Sequence, residues 1–282
     1  MTLAAAVLVA VSAVVAADVF VSVEPVRVAQ FRSIFAALVL VAVAFRRRVL
    51  AVEGRCGGLL ILGVNLAAIT ITFYWAIQRL GVGPGTTIQF TGPVLVMVWM
   101  RLVDKRRVPA VAWMAALAAV TGTALMTRAW RADLDVVGVA AGIGASVTFA
   151  SYLILGERLG SRLPSLTVMA YGFVFSALIW LVAVPPVVAD LGGGEWLSLA
   201  FIGVAGTAAP FLLEVSALRR ADPGSVGVVA TAEPVVGAAL AWVVLSQALT
   251  PVQVVGGAVT ATAVAAIHYF TARRAALPIP PA

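Results

Sequence analysis

The architecture of this chain follows from two stretches: residues 76–94, AIQRLGVGPGTTIQFTGPV, and residues 217–235, ALRRADPGSVGVVATAEPV. Each begins at the basic end of an apolar run, passes through a loop that contains glycine and proline, and ends on a Pro-Val pair. When Ala76 is aligned with Ala217, Pro93 falls on Pro234 without a gap. A fixed offset of this kind indicates that the chain is built from two repeats.

Nearly the same offset holds towards both ends of the chain. Glu24-Pro25 and Leu163-Pro164 are almost as far apart in sequence as the two aligned stretches, and so are Pro109 and Pro251. Since the offset drifts only slightly, the repeat covers most of the chain.

The composition places the chain in a membrane. Of its 282 residues, 62% are hydrophobic and 11% are charged, and the mean hydropathy is +1.08. A soluble domain carries about 25% charged residues. The polar surface is therefore too small for a water-soluble protein.

Ten membrane spans fit the length, because a helix needs about 20 residues to cross a hydrocarbon layer roughly 30 Å thick. The predicted spans are 3–20, 28–45, 57–78, 83–100, 110–127, 136–156, 165–184, 196–218, 224–246 and 251–270. The expected fold is an all-α membrane protein of ten transmembrane helices, five in residues 1–130 and five in residues 131–282. Because five is odd, the second repeat enters the bilayer from the opposite side, and inverted repeats are typical of secondary transporters.

Residues 1–17 offer an alternative interpretation as a signal peptide, since Val15-Ala16-Ala17 resembles a cleavage site. No Lys or Arg precedes Arg27, so the basic start of a signal peptide is missing. This segment also has a counterpart in the second repeat. We therefore assign it to span 1.

Basic residues set the predicted orientation, because Lys and Arg are retained on the cytoplasmic side. With the N-terminus inside, 14 of the 19 basic residues are cytoplasmic: Arg46, Arg47, Arg48, Arg55, Arg101, Lys105, Arg106, Arg107, Arg158, Arg162, Arg219, Arg220, Arg273 and Arg274. We expect a multi-pass protein of the bacterial inner membrane with both termini in the cytoplasm. The net charge of +7 then reflects topology and contact with membrane lipid, and does not indicate a nucleic-acid partner.

Two prolines, Pro93 and Pro234, fall at matching positions inside spans 4 and 9. A proline inside a helix removes a backbone hydrogen bond and clashes with the preceding turn. Both helices should therefore kink at similar depths and turn free carbonyl groups towards a cavity. A kink needed only for packing is the alternative.

Two further segments resemble a known family. They are Gln89-Phe90-Thr91-Gly92-Pro93 and the run 207–218, TAAPFLLEVSAL, with Glu233-Pro234 beyond it. Together with the two five-helix halves, these residues resemble the EamA-type branch of the drug/metabolite transporter superfamily, and most closely its threonine/homoserine exporters. Many relatives carry a glutamate at the end of span 9, where this chain has Gln247.

The resemblance implies a secondary active transporter that exports threonine, homoserine or related small amino acids by proton exchange. The alternative is another cargo on the same fold, such as an aromatic amino acid, a nucleoside-like metabolite or a cationic drug. No cofactor is implied. A homodimer stays open as an alternative to a single chain.

Charged residues inside spans are the first candidates for a binding site, because a charge at the bilayer centre costs about 2.5 to 3.5 kcal/mol on insertion scales. Glu214 and Glu233 are candidates for binding protons, with a buried structural hydrogen bond or an ion pair, for example with Arg32, as the alternative. Arg32 suits the carboxylate of a solute, unless it extends to the outer interface. Asp18 is expected to be solvated at the outer end of span 1.

Uncharged polar residues form a second set of candidates for binding an ammonium and a hydroxyl group. We favour Tyr74, Gln89 and Thr91 over the rest, which are Asn65, Thr70, Thr72, Trp75, Ser151, Tyr152, Tyr171 and Thr207. Ser and Thr in spans often bond to their own backbone, and Trp and Tyr often anchor a span at the interface.

Other motifs do not point to catalysis or metal binding. Gly138 and Gly142 form a GxxxG pattern, which is typical of close helix packing. The single histidine, His268, and the single cysteine, Cys56, do not make a metal cluster or a disulfide. HExxH and GxSxG, motifs of membrane-embedded enzymes, do not occur. The polar residues are also too scattered to line a channel.

Overall fold

The computed structural model of the chain describes residues 1–52, 54–131, 135–185, 191–245 and 248–276, which form helices and turns without a β-strand. The α-helices are α1 Thr2–Ser22, α2 Pro25–Arg46, α3 Cys56–Leu80, α4 Val82–Gln89, α5 Gly92–Leu102, α6 Ala110–Thr127, α7 Val136–Gly160, α8 Ser165–Ala183, α9 Gly193–Gly203, α10 Ala209–Leu218, α11 Pro223–Ala230, α12 Ala232–Leu245 and α13 Pro251–Ala276. A 3₁₀ turn covers Ala129–Arg131, and a π-helical turn, Val204–Ala208, joins α9 to α10. The predicted all-α fold is confirmed.

Each predicted span lies on one helix or on consecutive helical segments. Span 4 corresponds to α4 and α5, span 8 to α9 and α10 with the π-turn, and span 9 to α11 and α12. Eight helical stretches of the described chain are long and apolar enough to cross a membrane: Pro25–Arg46, Cys56–Leu80, Ala110–Thr127, Val136–Gly160, Ser165–Ala183, Gly193–Leu218, Pro223–Val243 and Pro251–Arg273. The described chain thus supports a multi-pass membrane protein, and the count of ten stays a prediction.

The helix boundaries follow local chemistry. Pro25, Pro223 and Pro251 stand in the first turns of their helices, where a missing backbone N–H costs nothing. Asp135 accepts a hydrogen bond from the backbone N–H of Gly138 and caps α7, and Asp222 caps α11 in the same way. These breaks are the loop signals that separate the predicted spans.

Glycines let several helices approach closely. A Cβ atom on Gly256 of α13 would lie 2.6 Å from the carbonyl oxygen of Gly122 on α6. On α7, a Cβ on Gly138 would lie 2.7 Å from the Cβ of Arg79, and one on Gly142 would lie 3.0 Å from Ile88. The GxxxG pattern therefore packs α7 against α3 and α4, as the sequence indicated.

Helix contacts recur in corresponding pairs from the two repeats. The helix of span 3 packs on that of span 6, and the helix of span 8 packs on that of span 1. Likewise, span 3 contacts span 7 as span 8 contacts span 2, and span 4 contacts span 6 as span 9 contacts span 1. This pattern places spans 1, 3, 4, 6, 8 and 9 around the middle of the molecule.

A network of charges ties the two repeats together at the predicted cytoplasmic end. Arg106 donates a hydrogen bond to Glu157 at 2.6 Å, and Arg158 donates one to Asp104 at 3.0 Å. The Arg158 guanidinium also lies over the ring of Trp99, 5.7 Å from its centroid. The hydrogen bond to Glu157 raises the pKa of the Arg106 guanidinium. The loop after α5 is therefore fastened to the end of α7.

Candidate functional site

The helices of spans 4 and 9 are both interrupted near their prolines. The first break, at Phe90 and Thr91, separates α4 from α5, and the second, at Thr231, separates α11 from α12. At each break a threonine hydroxyl donates to a backbone carbonyl three residues earlier, at 2.7 Å for Thr91 and 2.6 Å for Thr231. The two breaks therefore have the same local chemistry.

The prolines also leave two carbonyl groups without their usual partners. Pro93 lacks the N–H that would bond to the carbonyl of Gln89, and Pro234 lacks the one that would bond to Ala230. Gln89 and Ala230 both line the same cavity. Each repeat thus contributes one residue with a freed carbonyl to the lining of this cavity.

This central cavity has a volume of about 120 Å³. It is lined by Val9, Arg32, Ile69, Thr70, Phe73, Tyr74, Gln89, Phe90, Phe149, Pro210, Phe211, Glu214, Ala230 and Glu233. The lining comes from both repeats and combines one guanidinium, two carboxyl groups and a set of aromatic rings. Such a mixture of apolar walls and a few polar groups is typical of a small-molecule site.

Arg32 reaches the cavity from α2 and is held there by the π-turn. Its Nε donates to the hydroxyl of Thr207 at 3.0 Å, and that hydroxyl donates to the carbonyl of Ile202 at 2.9 Å. Among the described residues, no carboxylate oxygen lies within 4 Å of the Arg32 guanidinium. The proposed ion pair with a glutamate is therefore not formed, and Arg32 points inward instead of extending to the outer interface.

The two glutamates face the cavity from α10 and α12. Glu214 accepts a hydrogen bond at 3.1 Å from the hydroxyl of Tyr152, a fully buried residue of α7. Glu233 lies within electrostatic reach of both Glu214 and Arg32. A carboxyl group can hold or release a proton, so the cavity contains two groups able to do so.

Five of the six predicted site residues line the cavity: Arg32, Tyr74, Gln89, Glu214 and Glu233. Thr91 is not among the lining residues, because its hydroxyl is bonded to Ser146 at 2.7 Å and to the carbonyl of Ile88. The side chain of Asp18 and the whole of Gln247 lie outside what the structure describes. Whether the five residues bind solute or protons stays a prediction.

The aromatic part of the wall was not predicted. Phe73, Phe90, Phe149 and Phe211 all line the cavity. Two of them adjoin residues of the quoted motifs, Phe90 next to Gln89 and Phe211 next to Pro210, and this adjacency could have signalled them. Among the described residues, no group of three or more His, Cys, Asp or Glu side chains could hold a metal ion.

The sequence model of the EamA-like transporter family matches two parts of the chain, residues 1–128 and residues 136–269. The chain belongs to the EamA-like transporter family. This EamA-like transporter is 31% identical over 212 residues to the threonine/homoserine exporter RhtA of Escherichia coli (strain K12). The aligned region covers 72% of this chain and 68% of the relative. It is also 26% identical over 259 residues to the uncharacterized inner membrane transporter YicL of Salmonella typhimurium, covering 86% of this chain and 85% of that protein.

A solved crystal structure shares the fold of this EamA-like transporter. The two superpose with a TM-score of 0.81 over 98% of this chain and 97% of the other, at 19% sequence identity. The whole described architecture is therefore that of a known fold. At this identity the likeness concerns the fold and not the cargo.

Proposed function

We propose that this EamA-like transporter exports small amino acids of the threonine and homoserine type in exchange for protons. The central cavity carries the proposal, because it sets one guanidinium opposite two carboxyl groups within about 120 Å³. These are the complements of an α-carboxylate and an α-ammonium group. The similarity to exporters described as threonine/homoserine exporters supports the same cargo.

The cavity volume favours a small solute. Pockets for drug-sized molecules measure about 300 to 1,000 Å³, whereas this cavity of about 120 Å³ has the volume of roughly four water molecules. A cationic drug would have to displace much of the wall. A small zwitterion fits with less rearrangement.

Each charged group has a proposed role in the transport cycle. Arg32 binds the solute carboxylate, and Glu214 and Glu233 bind the ammonium group when they are ionised. A proton taken up from outside neutralises a carboxyl group and weakens its hold on the ammonium, so solute leaves outward as the proton enters. Release of that proton to the cytoplasm restores the site for the next solute.

The proposed architecture is ten spans in two inverted repeats, residues 1–130 and 131–282, with both termini in the cytoplasm of a bacterial cell. Alternating access then comes from rocking one repeat against the other around the cavity. The breaks at Pro93 and Pro234 supply the bends at which this motion is expected.

An aromatic amino acid is the second candidate cargo, because four phenylalanines line the cavity: Phe73, Phe90, Phe149 and Phe211. Ring stacking of about 0.5 to 1.5 kcal/mol per pair would favour an aromatic side chain. The small volume opposes this, since the ring would need more space than a hydroxyethyl group.

A substrate panel tests the proposal. Proteoliposomes that contain the purified protein are loaded with labelled threonine, homoserine, phenylalanine or a nucleoside. The efflux of the label is then followed under an imposed proton gradient. We expect gradient-stimulated efflux of threonine and homoserine, lost in Arg32→Gln and kept in Arg27→Gln, a basic residue of the same helix that does not line the cavity. Efflux of phenylalanine alone would assign the second cargo, and no efflux of any amino acid would refute amino-acid export.

A further inference from the structure

A second cavity, of about 350 Å³, lies at the predicted cytoplasmic end of the molecule. It is enclosed by the start of α1, the end of α10, the start of α11 and the end of α13. The lining residues are Met1, Thr2, Leu3, Ala217, Arg220, Ala221, Ser225, Val226, Val229, Val264, His268, Thr271 and Ala272. None of these residues belongs to the central cavity.

The second cavity shares helices with the central cavity. On α10, Ala217 lines the former and Glu214 the latter, and on α11 the corresponding residues are Val229 and Ala230. At 1.5 Å per helical residue, Ala217 and Glu214 are roughly 4.5 Å apart along the axis. The two cavities are therefore stacked along the bundle with little protein between them.

A layer of small apolar side chains lies beside the second cavity, and its Ala6 stands on α1 between Leu3 of the second cavity and Val9 of the central cavity. Ala6, Ala232 and Val264 pack together at 4%, 5% and 9% exposure, with Val229 against them. Parting this layer breaks no side-chain hydrogen bond, since its members have none to break. The helix break at Thr231 falls between Val229 and Ala232, so a change of bend there would move Ala232 and Glu233 relative to Val229.

The second cavity has the charge needed to attract a carboxylate. Arg220 is exposed, and among the described residues no acidic side chain lies within 4 Å of its guanidinium. Arg106 and Arg158, at the same end, are instead paired with Glu157 and Asp104. The described lining contains Arg220 and His268 but neither Asp nor Glu. The nearby carboxylate of Asp222 accepts hydrogen bonds from the backbone N–H and the hydroxyl of Ser225, so Arg220 leaves the lining itself with a charge that favours an anion.

At the predicted outer end, the corresponding helix ends of the first repeat pack closely against each other. Span 4 begins there against the end of span 5, and a Cβ on Gly83 would lie 2.5 Å from the carbonyl oxygen of Thr127. The hydroxyls of Thr87 and Thr127 are hydrogen-bonded at 2.7 Å. The space between the ends of these helices is thus open at the predicted cytoplasmic end and filled at the matching outer position.

We infer that the second cavity is the cytoplasmic vestibule of the exporter, in which Arg220 binds the carboxylate of the solute before it reaches Arg32. The solute then crosses the layer of Ala6, Val229, Ala232 and Val264. This inference rests on the proposed function, because it takes a small amino acid as the cargo. It adds to that function a second binding site, at Arg220, which the solute enters from the cytoplasm.

Sided transport kinetics test the role of Arg220. Uptake of labelled threonine by inside-out membrane vesicles starts at the cytoplasmic face, and uptake by right-side-out vesicles starts at the outer face. We expect Arg220→Gln to raise KM about tenfold at the cytoplasmic face, as for loss of one charge-assisted contact, with little change at the outer face. Arg32→Gln should raise KM at both faces, and Arg47→Gln, a cytoplasmic arginine outside both cavities, should raise neither.

An equal rise of KM at both faces for Arg220→Gln, or no rise at all, would overturn the inference while leaving the proposed function intact. Absence of threonine transport by the wild-type chain would refute the proposed function instead.

Cysteine labelling tests the vestibule without any assumption about cargo. The sequence has one cysteine, Cys56, so Cys56→Ser provides a background. In inside-out vesicles, a membrane-impermeant maleimide should label Ala217→Cys several-fold faster than Ala230→Cys, which lies beyond the apolar layer. Equal rates for the two, or labelling of Ala217→Cys only from the outer face, would contradict the vestibule.

Discussion

At the level of single residues, two charged side chains of the cavity are held by neutral hydroxyl groups. Thr207 holds Arg32 through its Nε, and Tyr152 holds Glu214 through one carboxylate oxygen. A hydroxyl group orients a charged side chain without cancelling its charge, whereas an ion pair would occupy it. Arg32 and Glu214 are therefore fixed in place and still able to bind a charged solute.

Replacing Thr207 tests whether the orientation of Arg32 matters. Thr207→Val keeps the shape but removes the hydroxyl, and we expect KM for threonine to rise about 3- to 10-fold, the value of one hydrogen bond, with a smaller change in maximal rate. Thr207→Ser should restore KM because it restores the hydroxyl. If the serine variant were as poor as the valine variant, Thr207 would serve only packing in the π-turn.

Glu214 is expected to couple transport to protons. Glu214→Gln keeps the hydrogen bond with Tyr152 but cannot ionise, so counterflow driven by a pH gradient should be abolished while the protein still folds. The measurement is threonine counterflow in proteoliposomes at imposed pH gradients. Glu24→Gln, at an exposed glutamate with 77% of its side chain accessible, is the matched control, and retained coupling in Glu214→Gln would move the role to Glu233.

At the level of helices, the two broken segments each place a residue with a freed carbonyl in the cavity lining. α4 ends at Gln89 and α11 ends at Ala230, and each of these residues lies four positions before a proline. The threonine hydroxyl at each break donates to a carbonyl three residues earlier, that of Ile88 for Thr91 and that of Val228 for Thr231. One carbonyl is thus satisfied locally, while another nearby is left for a solute or for water.

Straightening these helices should slow transport. Pro93→Ala or Pro234→Ala restores a backbone N–H that can bond to Gln89 or Ala230, so the bend should decrease without a loss of helix stability, because proline inside a helix costs about 3 kcal/mol. We expect a drop of about tenfold in the rate of threonine efflux and an unchanged or higher Tm. Pro25→Ala, in the first turn of α2, should change neither, and a normal rate in both kink variants would leave packing as the only role of these prolines.

Across the whole molecule, charges link the two repeats at both ends. The predicted cytoplasmic end has ion pairs that link the loop after α5 to α7, and the predicted outer end joins α3 to the start of α7 through Arg79 and Asp135 at 3.7 Å. Both links cross from one repeat to the other. Charged contacts between the repeats are thus present at both the predicted cytoplasmic end and the predicted outer end.

The orientation of the chain can be measured with reporter fusions. Fusions after Arg48 and after Ala282 should read as cytoplasmic, and a fusion after Arg131 should read as external, because basic residues are retained inside. An outer reading for the fusion after Ala282 would remove the even number of spans on which the inverted repeats depend. Equal readings after Arg48 and Arg131 would mean an even number of spans between these residues, which contradicts the three spans predicted there.

The helical segments, the breaks beside Pro93 and Pro234, and the main charged candidates could be predicted from the chain alone. Hydropathy and breaker residues are local properties, so each predicted span fell on a helix or on consecutive helical segments. Proline positions located both interruptions, since the missing N–H acts within one turn. Arg32, Glu214 and Glu233 were identifiable because a charged residue inside a span raises the free energy of membrane insertion, so such residues are rare unless they have a function.

Which side chains meet depended on tertiary packing. Thr207 faces Arg32 because the π-turn shifts the register of the helix there, and no hydropathy pattern reports such a shift. Thr91 turns towards Ser146 rather than the cavity, and four phenylalanines complete the wall. These contacts join residues that are 55 to 175 positions apart, so they depend on how helices rotate and pack against one another, which local chemistry does not fix.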